Sequence, residues 1–366
     1  MNNNLLYYLS FSHFLGIGPV RLKALINYFR DVKKAYQAKE RDISEVIGVN
    51  IAKKFIDFRA RFDPVNKLGE LKRKEIFVLS MADKDYPESL KNISDPPICL
   101  YIKARYQNFF DSVGATALFF AVVGTRKPTP YGEQIADKFS SELTEAGFVI
   151  VSGLAMGIDT IAHRACLKIG GKTVAVLGCG VDIIYPSVNC DLYEKIIKTG
   201  GVVLSEFPPG HTVLPGLFIS RNRIISGLSK GVLVIEGARD SGALITARHA
   251  ADQGREVFAA PGPINSEMST APNLLLKQGA KLVTSIEDIF EEFNIKISPK
   301  KKENIRANLI DEERLVFDCL EDKALMADEM VLILKKPVSQ ILNLLSLMEI
   351  KGVIEKNSEN RYQIKL

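Results

Sequence analysis

No apolar run in this 366-residue sequence is long enough to cross a bilayer, and the start, Met1-Asn2-Asn3-Asn4, lacks the basic residues and small-residue cleavage site of a signal peptide. Both absences predict a cytoplasmic protein with no membrane partner. Cysteine is sparse: Cys99, Cys166, Cys179, Cys190 and Cys319 are scattered with no C-x-x-C pair, and His13, His163, His211 and His249 never fall at metal-ligand spacing. A disulfide framework and a metal site are set aside, and the thiols are expected to be reduced and mostly buried. No G-x-G-x-x-G follows the first strong strand, no G-x-x-x-x-G-K-[ST] occurs anywhere, and no acidic residue stands in a ribose-binding context. Gly178-Cys179-Gly180 begins like a dinucleotide fingerprint but runs on into Val181-Asp182-Ile183. No cofactor is implied.

What the chain does have is an ordinary globular composition, with 46% hydrophobic and 25% charged residues, and enough length for two or three domains. The net charge of +5 is mild and discriminates little. The organising stretch is 118–132, Leu-Phe-Phe-Ala-Val-Val-Gly-Thr-Arg-Lys-Pro-Thr-Pro-Tyr-Gly. Its apolar run reads as a buried central strand opening at its carboxyl end into Gly124-Thr125-Arg126, where open α/β sheets take ligands. Helical spacing follows over 131–146 (Ile135, Phe139, Leu143), so the loop is expected to present bare backbone N–H groups near a helix start, with Arg126 beside them. Such a loop suits an anion.

Beyond it, strand patterns at 148–151, 173–177, 202–204, 232–235, 256–259 and 282–283 alternate with helical patterns at 158–167, 218–228, 243–251 and 286–293. That alternation predicts a parallel, doubly wound α/β sheet. Polar or glycine-rich residues cluster at the strands' carboxyl ends, including Ser152-Gly153, Ser205-Glu206 and Glu236-Gly237, so one rim of the sheet is the expected ligand face. Two short strands at 76–79 and 98–102 should pair onto the sheet's edge. Arg221-Asn222-Arg223 forms a polar cluster on the helix whose Ile224, Ile225 and Leu228 face the core, with Phe218 one turn earlier as a platform for a base. Glu206 and Glu236 are the expected carboxylate partners of these arginines. Ser241 is an N-cap whose neighbouring N–H groups, in Ser241-Gly242-Ala243-Leu244-Ile245-Thr246, can hold a phosphate.

At the N-terminus, Leu15-Gly16-Ile17-Gly18-Pro19 before an amphipathic helix resembles a helix-hairpin-helix, with a degraded second copy at Val46-Ile47-Gly48-Val49-Asn50. The equally open reading is a small helical bundle using these glycines only as turns. At the C-terminus, a basic segment around Pro299-Lys300-Lys301-Lys302 reads as a linker, followed by helices at 310–320, 326–334 and 338–349 and a hairpin of 352–355 with 362–365.

The ordered series Gly124-Thr125-Arg126, Ser152-Gly153-Leu154-Ala155-Met156-Gly157-Ile158-Asp159, Tyr185-Pro186 with Asn189, Ser205-Glu206-Phe207-Pro208-Pro209-Gly210, Arg221-Asn222-Arg223, Ser241 to Ala247 and Pro261-Gly262 resembles the DNA-processing protein A family (DprA/Smf). The resemblance implies a helical domain over 1–70, a Rossmann-like domain over 71–295, a linker over 296–308 and a winged-helix domain over 309–366. It implies binding of single-stranded DNA without catalysis, homodimers formed through the Rossmann-like domain, and delivery of strands to a RecA-type recombinase during natural transformation. Implied DNA-binding residues are Gly124, Thr125, Arg126, Ser152, Gly153, Phe218, Arg221, Asn222, Arg223, Ser241, Gly242, Thr246 and Asn273. Two departures stand out: Ser269-Thr270-Ala271-Pro272-Asn273 replaces the family's usual Ser-x-Gly-x-Asn loop, and Ile219 follows Phe218 where proline is usual. The third tail helix, apolar at Ile341, Leu342, Leu344, Leu345 and Leu347 with no Lys or Arg before Lys351, favours protein contact over base reading. The competing class is a nucleotide N-glycosidic hydrolase using Glu206 or Glu236, whose usual Pro-Gly-Gly-x-Gly-Thr loop is missing here.

Overall fold

The computed structural model describes every residue except 1–3, 107–108, 114–116, 296–305, 307–308, 321–323, 358–359 and 365–366. Strands that are apolar without interruption need cover on both faces, and the centre of the sheet is built from such runs, as in Phe119–Val123 and Gly231–Val234. In chain order they are β1 (Phe77–Ser80), β2 (Cys99–Ala104), β3 (Phe119–Val123), β4 (Val149–Ser152), β5 (Thr173–Leu177), β6 (Val202–Ser205), β7 (Gly231–Val234), β8 (Glu256–Ala259) and β9 (Lys281–Leu282). They hydrogen-bond in the order β1-β2-β6-β5-β4-β3-β7-β8-β9. From β6 through β9 all neighbours are parallel, while β1 and β2 join antiparallel at the β6 edge, as the lead-in strands were expected to.

Side chains alternate between two cores along each strand. Ala121, Val123, Val174, Val176, Val232 and Val234 pack with Ile224, Ile225 and Leu228 of helix Pro215–Leu228 and with Ala243 and Ala247 of helix Gly242–Asp252. On the opposite face Ala175, Leu177 and Val203 meet Leu167 of helix Ile158–Lys168 and Leu192, Tyr193 and Ile196 of helix Cys190–Lys198. The chain winds outward from β3 through β4, β5 and β6, then returns to lay β7 on the other side of β3. Loops leaving β3 and β7 therefore diverge to opposite faces, and the reversal opens a crevice at their carboxyl ends. Among the longer helices, Cys190–Lys198 and Thr270–Lys277 escaped the sequence reading, as did the single turns Glu88–Lys91 and Phe109–Ser112.

Six helices precede the sheet, Leu5–His13, Pro19–Phe29, Val32–Gln37, Glu40–Ile47, Val49–Arg59 and Pro64–Arg73. Their core of Leu9, Phe11, Leu22, Leu25 and Phe55 continues into Cys99, Tyr101 and Val181, and residues 1–289 form one compact unit. The remaining residues, 290–366, form a second. It holds helices Asp311–Cys319, Ala327–Leu334 and Val338–Ile350 and an antiparallel pair, β10 (Ile354–Lys356) with β11 (Tyr362–Ile364). Ile341, Leu344 and Leu345 fill its core beside Phe317 and Met330, whereas Leu342 and Leu347 of the same helix are exposed. The expected linker over 296–308 lies outside the described residues apart from Arg306. Among the described residues no single helix is long and apolar enough to cross a membrane.

Candidate functional site

A groove of about 500 Å³ occupies the crevice where β3, β4 and β7 end, lined among others by Gly124, Thr125, Arg126, Asp159, Tyr185 and Phe218. The loop after β3 is clamped from both sides: the Thr125 N–H donates to the Glu236 carbonyl (2.8 Å), and the Ile158 N–H donates to the Thr125 carbonyl (3.2 Å). Gly157, at φ +78°, lies so close beneath this loop that a Cβ there would fall 2.8 Å from Arg126 Cα. Backbone held this firmly projects the exposed Arg126 side chain from a fixed base. Its guanidinium sits 5.5 Å from the centre of the Phe218 ring.

The expectation of bare N–H groups at the next helix start is corrected. The Thr125 N–H is already bonded, and the start of helix Pro130–Glu145 is occupied by the protein's own carboxylate. Glu236, buried, accepts from the Thr129 N–H (2.9 Å) and the Thr129 hydroxyl (2.6 Å). A negative charge there satisfies the helix dipole and leaves no place for a second anion. The start of helix Gly242–Asp252 is different: Ser241 caps it, its Oγ accepting from the Ala243 N–H (3.3 Å), and Ser241, Gly242, Ala243 and Thr246 line the groove together with Asp240. Asn222 joins this wall, its amide donating to the Gly242 carbonyl at 3.3 Å.

Arg221 and Arg223 are two residues apart on one helix, hence about 200° apart around it. Arg221 lines the groove but is buried, donating to the Gly153 carbonyl (2.6 Å) and the Val176 carbonyl. Any side chain at 153 would overlap its guanidinium, which is why glycine stands there. Its Nε has no partner among the described residues. Burial pushes the Arg221 pKa down, against the pull of Asp159. Asp159, also buried, accepts from the Gly153 N–H (3.1 Å) and Ala155 N–H (3.3 Å), and burial raises its pKa against the opposing charge of Arg221.

Arg223 points the other way and is absent from the groove lining. Glu206 takes it bidentately (3.0 and 2.7 Å), and Asp95 takes its Nε at 2.7 Å. Burial alone would lower its pKa, but Glu206 and Asp95 outweigh that cost and hold it above the ordinary arginine value. The expected pairing of glutamates with arginines thus holds for Glu206 and fails for Glu236, whose side chain serves Thr129. Three further candidate residues are absent from the groove lining: Gly153, which lies against the Arg221 guanidinium, Ser152 and Asn273. Ser152 is buried and donates to the Val122 carbonyl (2.7 Å). Asn273 sits on helix Thr270–Lys277 rather than in a loop, its amide donating to the Gly262 carbonyl at 3.2 Å.

Phe218 is half-buried and faces Tyr185, with ring centres 5.5 Å apart. These rings, with Arg126, Ala155, Met156 and Pro186, bound a small cleft beside the main groove. Tyr185 was noted in the sequence only as part of a Tyr-Pro pair, and its exposure beside Phe218 makes it a groove residue. Asp159 was likewise part of a motif without a role. The arrangement offers one exposed guanidinium, two accessible rings and a helix start, the combination that takes a phosphate and a base together.

The family model for DNA recombination-mediator protein A matches residues 77–294 of this chain, a span that contains the whole groove. Over 291 residues the chain is 40% identical to Protein Smf of Synechocystis sp., covering 78% of this chain and 71% of that one. Among solved structures, DNA processing protein A from Streptococcus pneumoniae superposes with a TM-score of 0.68 at 36% identity, over 80% of this chain and 98% of that one. DNA processing protein A from Helicobacter pylori, described for its unique single-stranded DNA binding mode, does so with a TM-score of 0.53 at 31% identity, over 60% of this chain and 95% of that one.

Proposed function

The chain belongs to the DNA recombination-mediator protein A family, and from that premise we propose that its strand-end groove binds single-stranded DNA and protects it for loading of a RecA-type recombinase during DNA uptake. The observation that carries this reading is the exposed Arg126 guanidinium fixed beside the Phe218 and Tyr185 rings at the reversal of strand order. A phosphate would meet Arg126 and the start of helix Gly242–Asp252, with Asn222 and Thr246 along the wall, while an unstacked base lies on Phe218. Only a single strand can offer that base, since a duplex keeps its ring faces stacked. Gly124, Thr125, Gly153 and Arg221 shape the floor. Ser152, Arg223 and Asn273 act at one remove, holding the elements that frame it.

Catalysis is the weaker reading. Glu206 is engaged by Arg223 and Glu236 by Thr129, so neither candidate carboxylate for an N-glycosidic hydrolase is directed into the groove by its bonding. We also assign homodimerisation to the Rossmann-like domain. The tail unit reads as a winged helix whose third helix, exposing Leu342 and Leu347, contacts protein rather than bases.

The test is binding of a labelled oligothymidine against a duplex of equal length, at low and moderate salt, for the native chain and Arg126→Ala. Binding should favour the single strand, weaken with salt and fall at least about tenfold in the variant. Equal affinity for both forms, unchanged by the substitution, would overturn the proposal and direct attention to hydrolysis.

A further inference from the structure

The chain's positive charge is not where the groove is. Residues 1–73 hold 14 Lys and Arg against 7 Asp and Glu, whereas residues 74–366 hold 34 against 36. The six N-terminal helices therefore carry +7, and the rest of the chain −2. This excess also lies outside residues 77–294, the span of the family match. Concentrated basic charge on one part of a chain is the electrostatic footprint of a polyanionic partner.

The helices give that charge a shape. Helix Val49–Arg59 and the turn after it wall an open groove of about 390 Å³ with Lys54, Phe58, Arg61 and Phe62, and Asp57 is the acid among them. Phe58 and Phe62 stack, ring centres 4.8 Å apart and 25° from parallel. Lys54 and Arg61 are both exposed, and the ion pairs of this region involve other lysines, Lys67 with Glu70 and Lys74 with Asp182. Phe14, which opens the glycine turn before helix Pro19–Phe29, packs on Phe58 at 5.4 Å between ring centres, so that turn borders the same groove. At Gly18 a Cβ would meet nothing within 4 Å, which leaves the turn's backbone open to solvent.

We propose that the N-terminal helices form a second nucleic-acid surface, separate from the strand-end groove, in which Lys54 and Arg61 hold phosphates on either side of the Phe58–Phe62 pair. Exposed cations gain attraction to phosphate with little desolvation, so contact here is electrostatic, insensitive to sequence and strongly dependent on salt. A duplex and a single strand share the phosphate chemistry, and the rings separate them: only a single strand can lay a base on Phe62.

The full-length chain carrying Lys54→Glu and Arg61→Glu is compared with the native chain and with Arg126→Ala, using a labelled oligothymidine and a duplex of equal length across a salt series. Losing two phosphate contacts should lower the slope of log affinity on log salt by about 1.4 for a single strand or about 1.8 for a duplex. Affinity at low salt should fall about tenfold or more for whichever form the surface holds. Phe62→Ala should weaken only the single strand if that form is the occupant. Unchanged affinity and slope for both forms overturns the proposal. So does loss of binding to phosphatidylserine vesicles with DNA binding intact. Thermal melting checks the fold, and Lys54→Gln with Arg61→Gln replaces the charge reversal if melting shifts. An effect of the N-terminal pair without one from Arg126→Ala would sustain this surface while removing the groove, and the reverse would do the opposite.

Discussion

In the strand-end groove, Arg221 is turned onto the Gly153 and Val176 carbonyls and the neighbouring Arg223 is locked between Glu206 and Asp95, so Arg126 is the exposed guanidinium of the lining. In the N-terminal helices the order is reversed, with Lys54 and Arg61 both facing solvent beside an aromatic floor. A buried cation fixes geometry and its loss is felt as instability. An exposed one sets affinity and its loss is felt as weaker, less salt-dependent binding. The two regions teach that the count of basic residues near a site says little until burial is known.

The sharpest way to break this contrast is to remove the buried cation that two carboxylates hold. Arg223→Ala leaves two carboxylates near each other without their partner, and should cost about 3–5 kcal/mol of stability by denaturant unfolding. A loss under about 1 kcal/mol would mean that Arg223 behaves like a surface residue. Phe218→Ala tests the groove by its ring: oligothymidine binding should weaken by about 1–3 kcal/mol, with the duplex little changed. An equal loss for the duplex would remove base stacking from the account.

A smaller effect comes from His163, which is buried against the Thr173 hydroxyl (Nδ1 to Oγ1, 2.7 Å). Burial, with a lesser push from Arg221, lowers its pKa from 6.5 to about 3. The folded chain keeps the ring neutral while the unfolded chain protonates it, so this stabilisation is complete above pH 6.5 and is lost as pH falls toward 3. One proton gives a slope of at most about 1.4 kcal/mol per pH unit. His163→Asn should flatten the pH dependence of stability in that window by up to this amount, and an unchanged slope would contradict it. Asp159, whose pKa burial raises, acts with the opposite sign, its contribution fading as pH rises, so only the difference between native and variant isolates His163. The smallest change in stability, within about 0.5 kcal/mol, is expected for Lys54→Glu with Arg61→Glu. A large one would show these side chains to be structural after all.

Much of the sheet was legible because its strands are short, mostly apolar runs: Thr173–Leu177 and Glu256–Ala259, each opening on one polar residue, fall where their patterns place them. Helix Cys190–Lys198 was missed because Asn189, the glycines at 200 and 201 and its charged residues mask a single apolar stripe of Leu192, Tyr193 and Ile196. Helix Thr270–Lys277 was missed because of Pro272, which is tolerated since it lies in the first turn, where its absent N–H needs no intrahelical acceptor. At the site, Arg126 and Phe218 could be read from a strand end and a helix start. The division between Arg221 and Arg223 could not, because Arg223 is claimed by Asp95, 128 residues away. The same limit applies to Glu236, whose partner Thr129 is 107 residues distant.

The most direct test of the central claim is photocrosslinking of an oligothymidine carrying iododeoxyuridine to the native chain, followed by peptide mapping. The account predicts crosslinks at Phe218 or Tyr185. Crosslinks elsewhere, with none on any residue lining the strand-end groove, would contradict it.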